Sequence, residues 1–533
     1  MADKAPVVHL IGCGADEGPP GAVAELGFKA HNLARLARLG VQVPPAFVLG
    51  TGWCRTCLAQ GGQLPDGARL QLAAALKRLE AASGLGFGSG RRPLLVSVRS
   101  GAPVSMPGMM ETVLNVGLGD GTLSGLLRLS GNPRLVWDSY RRLIESYAEI
   151  VAGLPGAPFE TARREALATA SVIVPAELDF RALRALAQRE LELYAAGAGQ
   201  PFPQSPVEQL EQAVAAVFRS WDATKARWYR EAHRIDHGLG TAVTVQRMVF
   251  GNAGGTSGAG VGFTRNPATG AAELYVDFAP NAQGEDVVSG RTGLAGSAAT
   301  RNLPAPIREE LVELASLLEH EFRDAQEFEF TIENGELFVL QTREAKRTPL
   351  AALRVAVELA EAGLVTPAEA RARVATLDPG RLEFVELAGA CAIEPLAAGI
   401  GASIGVAAGA AVFDPDRAID RARAGEAVVL VREDVATSDI AALEATAGLL
   451  AARGARTSHA AVIARQLGKT CIVGCMGLTI DADSRGARFG ARHIAEGEML
   501  TLDAASGCVY PGSLPVVSRP PDELLGRLNA LGA

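Results

Sequence analysis

"EFEFTIENGELFVLQTRE", Glu327 to Glu344, is two β-rich runs on either side of Asn334-Gly335. Asn-Gly between alternating apolar positions marks a β-hairpin. A strand period of two puts Glu327 and Glu329 on one face and Phe328 and Phe330 on the other. Two registers are open. A two-residue loop places Gln341 opposite Phe328. A three-residue loop with Gly335 left-handed places Gln341 opposite Glu327 and unites Glu327, Glu329, Gln341 and Arg343 on one face; this is the register expected here. Two carboxylates and an amide oxygen suit Mg²⁺, which takes hard oxygen ligands and completes its shell with substrate phosphates. A solvated, salt-bridged strand face is the plain alternative.

Upstream, "PLLVSVRS" (Pro93–Ser100) and "TAVTVQRMVF" (Thr241–Phe250) are similar short β-rich runs set among helical periods. To about Arg343 this pattern fits α+β or α/β layers. Arg99 stands at the end of an apolar strand, where a planar guanidinium suits a phosphate but serves a structural ion pair equally well. Lys29, in "ELGFKAHNLARLARLG", is either a phosphate ligand or a solvated lysine near a helix start. "GNAGGTSGAGVGFTRNPATG", Gly251 to Gly270, is crowded with Gly and small hydroxyl residues. Such a loop can bring N–H groups close to phosphate oxygens, with Thr256 and Ser257 adding hydroxyls. Its spacing is neither that of Walker nor that of Rossmann loops, and a flexible hairpin tip is the alternative.

Downstream, Glu344 to Leu387 turns helical and charged, with Thr366 and Pro367 as a helix cap and first position; this reads as a linker. Ile393 to Phe413 is long enough to span a bilayer, but its Gly and Ala content makes it loop and buried strand. Then "AVVLVRE", "AGLLAARG" and "TCIVG" alternate with helices, as in a compact α/β domain. Inside it lies "RGARTSHAAVIARQLGKT", Arg453 to Thr470. If Thr457 or Ser458 caps the helix that follows, the His459 imidazole sits beside unsatisfied N–H groups and the positive dipole end, a place that favours an added anion. Ala460 and Ala461 leave room for a bulky donor. A satisfied polar residue at a helix end is the competing reading.

The 533 residues predict two to four domains. A net charge of −8 argues against a nucleic-acid partner, whose phosphates call for a basic excess. Seven cysteines include "WCRTC", Cys54 and Cys57, with no second pair at zinc spacing, so reduced thiols in a cytoplasmic protein are expected. The N-terminus has no basic segment followed by a sustained apolar one, so no secretory signal is expected.

Taken together, "LLVSVRSGAPVSMPGMMETVLNVGLG", the Gly251–Gly270 stretch, "NAQGEDVVSG", "FTIENGELFVLQTREAKRT" and "GARTSHAAVIARQLGKTCIVGC" resemble the pyruvate phosphate dikinase and phosphoenolpyruvate synthase family in content, order and spacing. The resemblance runs from Leu26 to about Gly512. It implies an ATP-grasp-like nucleotide domain at 1–343, a helical linker at 344–393, a swivelling α/β phosphohistidine domain at 394–515 and a tail at 516–533. By the same likeness Lys29, Arg99, Gln246, Thr256, Ser257, Gly258 and Arg343 bind ATP and its phosphates, Glu327, Glu329 and Gln341 hold Mg²⁺, and His459 is the nucleophile. Thr457 and Arg456 are a possible regulatory site and acceptor contact. Departures from the family pattern include Gly454-Ala455-Arg456 for Gly-Gly-Met, Gly255 for an acidic residue, Glu327 for Asp, Gly27-Phe28-Lys29-Ala30 for Gly-Gly-Lys-Gly, and Pro103 for a basic residue. The family's barrel for pyruvate or phosphoenolpyruvate is not among these residues, so an acceptor site on a separate partner chain is expected. The implied activity is self-phosphorylation of His459 from the β-phosphate of ATP, giving AMP, then transfer to pyruvate or another small organic acceptor, without nucleic acid or membrane. The rival is a non-catalytic nucleotide-binding regulatory subunit; a sugar-transport type phosphocarrier is a more distant one.

Overall fold

A computed structural model describes residues 8–14, 21–104, 106, 110–288, 303–377, 382–389, 393–435, 439–454, 456, 458–481 and 485–531. Two compact units result: Met1–Gly255 with Glu336–Gln341, and Thr256–Gly335 with Thr342–Ala533.

The first unit is built on a five-stranded sheet of β1 (Val8–Ile11), β2 (Ala46–Leu49), β3 (Val96–Gly101), β4 (Thr112–Val116) and β5 (Ala242–Arg247), in the order β1-β2-β5-β3-β4. Period two sorts the central strands. Val96, Val98, Val243 and Val245 join the main apolar core, while Ser97, Arg99, Thr244 and Gln246 alternate with them on the opposite face. Helices α1 (Phe28–Arg38), α2 (Pro133–Ile150) and α3 (Pro206–Ser220) are sharply started. In α2 and α3 proline occupies the first turn, and the side chains of Asn132 and Ser205 accept the N–H groups of Leu135 and Glu208. Within α2, Asp138 is buried against Arg141 and Arg142. Burial opposes its ionisation, but the two guanidinium groups outweigh it and hold the carboxyl down to about 2. Cys54 and Cys57 are core residues without a disulfide; burial pushes the Cys54 thiol up to about 12, which makes it a poor nucleophile.

Next comes a four-stranded antiparallel sheet of β6 (Gly258–Phe263), β7 (Tyr275–Pro280), β8 (Gln326–Glu333) and β9 (Glu336–Glu344), in the order β9-β8-β6-β7, of which all but Glu336–Gln341 counts with the second unit. The glycine-rich stretch is thus a loop only as far as Ser257. From Gly258 it is strand, and its glycines have a packing reason. A Cβ on Gly260 would lie 2.4 Å from the Phe330 ring, one on Gly262 2.3 Å from Phe328, and one on Gly258 2.3 Å from Phe278. Phenylalanine rings fill the space that those side chains would take.

The hairpin corrects the expected loop. Asn334 and Gly335 both have positive φ, 53° and 88°, so the turn has two residues rather than three. Unbroken pairing from such a turn would set Ala325 opposite Glu344. Instead the Ala345 N–H donates to the Ala325 carbonyl at 3.0 Å, so β9 gains one residue on β8 along the hairpin. That slip, and not the loop, brings Arg343 to the face of Glu327.

After the sheet come α4 (Pro349–Glu361) and α5 (Pro367–Val374). Thr366 and Glu369 form the reciprocal cap that starts α5. The final strand, Val516–Arg519, pairs with Phe384–Leu387, and the final helix, Asp522–Ala530, places Leu524 and Leu528 in the same core as Leu353 and Leu359 of α4. The C-terminal segment therefore returns to the linker.

Between them lies an eight-stranded sheet of β10 (Ala397–Ala398), β11 (Ile400–Gly401), β12 (Val406–Val412), β13 (Val428–Arg432), β14 (Gly448–Ala451), β15 (Thr470–Val473), β16 (Met499–Asp503) and β17 (Cys508–Pro511). Its order is β10-β17-β16-β12-β13-β14-β15-β11, with β12 to β15 parallel. Near-continuous apolar runs such as "VVLV" suit strands covered on both faces. Helix α6 (His459–Leu467) connects β14 to β15, so its N-terminus opens at the carboxyl ends of the parallel strands, where α/β sheets bind ligands.

Candidate active site

Three groups of residues matter. The first is a cleft within unit one. Gly27, with φ 74°, stands at the start of α1, and a Cβ there would meet the Gly101 carbonyl oxygen at 1.9 Å. Only glycine permits that approach, and the Phe28 N–H then donates to the Ala102 carbonyl at 3.0 Å. The consequence is local: the helix carrying Lys29 is pinned to the end of the strand carrying Arg99. Arg99 lies opposite Thr244, and Ser97 opposite Gln246, in the β3–β5 ladder. Lys29, Arg99, Thr244, Gln246, Leu340 and Gln341 line one cleft. Gln246 is fixed by donation from its amide to the Pro44 carbonyl at 3.1 Å. Arg99 Nε is buried with no hydrogen-bond partner, so the cleft presents a cationic donor suited to an anion.

The second group lies on β8 and the end of β9. Glu327 is 2% exposed. Its Oε1 pairs with Arg343 at 2.5 Å, while its Oε2 is buried without a partner. Burial pulls the Arg343 guanidinium down, but Glu327 and then Glu329 outweigh it and raise it. An orphaned buried carboxylate oxygen beside a second carboxylate is a fitting place for a hard cation. Gln341, expected in the same set, lines the cleft of the first unit. Ser257 is buried, and its hydroxyl accepts the Asn334 N–H at 3.0 Å, which ties the loop end to the hairpin turn. Thr256 is exposed, and Gly258 opens β6.

The third group surrounds the start of α6. Ser458 is the N-cap, and its hydroxyl accepts the Ala461 N–H at 3.4 Å. His459 is the first helical residue, so it stands where N–H groups lack intrahelical partners. Thr457 lies outside the described residues. Arg456 Nε donates to the Gly401 carbonyl at 3.2 Å, and its guanidinium lies 4.5 Å from the Tyr275 ring centre and 3.9 Å from Asp277. Arg465, 1% exposed, donates to the carbonyls of Ala402 and Arg456, with its guanidinium 5.6 Å from the Phe263 ring centre.

Asp277 and Arg465 were not singled out from the sequence. Val261 of β6 pairs with both Glu329 and Asp277, so the three share one row across the sheet. Asp277 is 2% exposed, with Oδ2 unpartnered. Burial raises its carboxyl, against the opposing pull of Arg456 and Arg465. The available signal was an Asp inside the apolar run "LYVDFAP", since a carboxylate buried in a strand needs a reason.

The described residues thus offer a basic cleft on an antiparallel sheet, a row of carboxylates, and a histidine at a helix start beside the parallel strands of a second, mixed sheet. The comparisons sharpen this. Residues 62–293 match the pyruvate phosphate dikinase AMP/ATP-binding domain, and residues 424–507 match the mobile domain of PEP-utilising enzymes. Pyruvate, phosphate dikinase of Rhizobium meliloti (strain 1021) is 40% identical over 522 residues, which are 96% of this chain and 58% of that protein. The enzyme of Clostridium symbiosum is 41% identical over 501 residues, 92% of this chain and 56% of that protein. Pyruvate, phosphate dikinase 1 (chloroplastic) of Zea mays is 39% identical over 544 residues, covering 57% of its length. The chain belongs to the pyruvate phosphate dikinase family and spans rather less than three fifths of the length of these relatives. The family uses ATP and Mg²⁺, and its ATP-binding domain is present here. Among the described residues no helix is long and apolar enough to cross a membrane.

Proposed function

We propose that this chain carries out the ATP half of a dikinase reaction: His459 takes the β-phosphoryl group of ATP, AMP is released, and the phosphoryl group passes to pyruvate or another small organic acceptor. We place the acceptor site on a separate partner chain. The nucleotide domain extends to about Arg343, the linker to 393 and the phosphohistidine domain over 394–515. Unpaired thiols, buried in the cases of Cys54, Cys57, Cys471 and Cys475, favour the cytoplasm.

The observation that carries the reading is the cleft. Lys29 and Arg99 place two cations on one side of it, Arg99 with an unsatisfied buried donor, and nucleotide phosphates are anions of the right geometry for them. Glu327 and Glu329, with Gln341, would hold Mg²⁺, which shields phosphate charge during transfer. Arg343, held by Glu327, supplies a further cation for the phosphates. Backbone N–H groups of Thr256–Gly258 cover them, and the Ser257 hydroxyl holds that loop to the hairpin. In phosphoryl transfer positioned charge does most of the catalytic work. His459, in its neutral form, donates the lone pair, and the open N–H groups at the start of α6 stabilise the anion it acquires. Since one imidazole cannot face donor and acceptor sites together, the domain moves between them.

Incubation with ATP labelled separately at the β and γ positions tests this. Retention of acid-labile β-label with release of AMP supports it. Binding of ATP with neither label nor AMP points instead to the regulatory subunit.

A further inference from the structure

We propose that Arg456 is a positioning residue that latches the histidine-bearing domain onto the β6–β9 sheet, and that Asp277 and Tyr275 are its receptor. The inference rests on the reading that this domain moves. Its observations are independent of chemistry at His459. Arg456 comes two residues before the Ser458 cap, so its place fixes that of the start of α6. Its guanidinium is engaged on three sides: the Tyr275 ring at 4.5 Å, Asp277 at 3.9 Å and the Gly401 carbonyl at 3.2 Å. The first two partners belong to β7 and the third to the domain's own β11. Arg465 backs the arrangement by donating to the Arg456 carbonyl at 2.7 Å and lying over Phe263. Phe263 in turn meets Tyr275 edge to face at 6.1 Å.

Two features distinguish a latch from permanent packing. Where the start of α4 (Thr348, Pro349) faces Gly405, Ala447, Gly468 and Thr470 of the domain, the structure leaves an open cleft of about 350 Å³. The domain is thus open toward the start of α4 and engaged with β7 through Arg456. The latch is also incompletely satisfied, since Asp277 Oδ2 and Arg465 Nε and Nη2 are buried without partners. Separation would return these groups to water, which lowers the cost of release. The groups facing Asp277 are Arg456 and Arg465; removal of Arg456 leaves the buried carboxylate with Arg465 alone to compensate it.

Hydrogen exchange of the full 533-residue chain tests the proposal. In Arg456→Met, exchange in the peptide over Tyr275–Pro280 is expected to rise about tenfold, the loss of a desolvated cation–π and charge contact, while peptides of the β1–β5 sheet stay unchanged. Adding Asp277→Asn removes the stranded carboxylate and is expected to lower that exchange again. The rate of β-label incorporation in Arg456→Met falls without a change in KM for ATP. Unchanged exchange in Tyr275–Pro280 for Arg456→Met, or a further rise in the double variant, overturns the latch. His459→Ala should exchange like wild type; if labelling fails while the exchange pattern holds, the function above falls and the latch stands.

Discussion

The nucleotide cleft and the histidine helix are assembled in opposite ways. The cleft draws Lys29, Arg99, Thr244, Gln246 and Gln341 from segments hundreds of residues apart. The start of α6 is local: Gly454, Ser458, His459 and the helix behind them lie within one short stretch. A dispersed site depends on ladder register and close approach, as at Gly27 against Gly101, so it is sensitive to its scaffold. The helix start depends first on its own cap, with Arg456 tying it to more distant partners.

If this contrast is right, substitutions rank accordingly. His459→Ala abolishes acid-labile labelling and AMP release while leaving ATP affinity, measured by calorimetry, within about twofold, because the cleft does not need it. Arg99→Met lowers the first-turnover labelling rate by about 100-fold, in line with loss of one preorganised charge at a phosphate; an undiminished rate in a rapid-quench experiment would place the phosphates elsewhere. Glu327→Gln strands Arg343 and costs about 2 kcal/mol of unfolding free energy. It also raises the apparent Mg²⁺ requirement about tenfold, both readable from denaturant melts and a metal titration. Ser458→Ala, a cap deletion, costs only about 1 kcal/mol, visible as a small shift in the thermal midpoint with ATP binding intact.

The scaffold of the cleft gives a pH-dependent test. Glu190 is buried in the first unit with neither carboxylate oxygen hydrogen bonded. Burial raises its carboxyl well above the ordinary value, despite Arg141 nearby. A group raised in the folded state stabilises fully below its unfolded value and loses that contribution as pH rises toward its folded value. Glu190→Gln should therefore gain stability relative to wild type between pH 5 and pH 8, the interval estimated from the ordinary carboxyl range. A difference that is flat across these values in urea unfolding contradicts the buried neutral carboxyl.

The legibility of the sequence follows the same contrast. The Thr366 cap, a cap at Thr457 or Ser458, the strands "VVLV" and "TCIV", and the hairpin at Asn334-Gly335 were all readable, because each is decided by neighbours a few residues away; the structure selects Ser458. The loop length was not. Two positive φ angles make a two-residue turn, and the extra residue is absorbed further along the strand, which no local pattern reveals. Nor was the strand nature of Gly258–Phe263 readable, since glycines that make room for Phe328, Phe330 and Phe278 look like a loop until the rings are in place. Asp277 stayed hidden because its row-mates are supplied by register alone.

The most direct test of the central claim is to map the phosphorylated residue. The full chain would be incubated with Mg²⁺ and β-labelled ATP, digested under alkaline conditions that preserve phosphohistidine, and its peptides located by mass spectrometry, with Arg99→Met alongside. A single labelled peptide containing His459, strongly depleted in Arg99→Met, is the result expected if the dispersed cleft and the local helix serve one reaction. Label on another residue, or undiminished label at His459 in Arg99→Met, would separate them and contradict it.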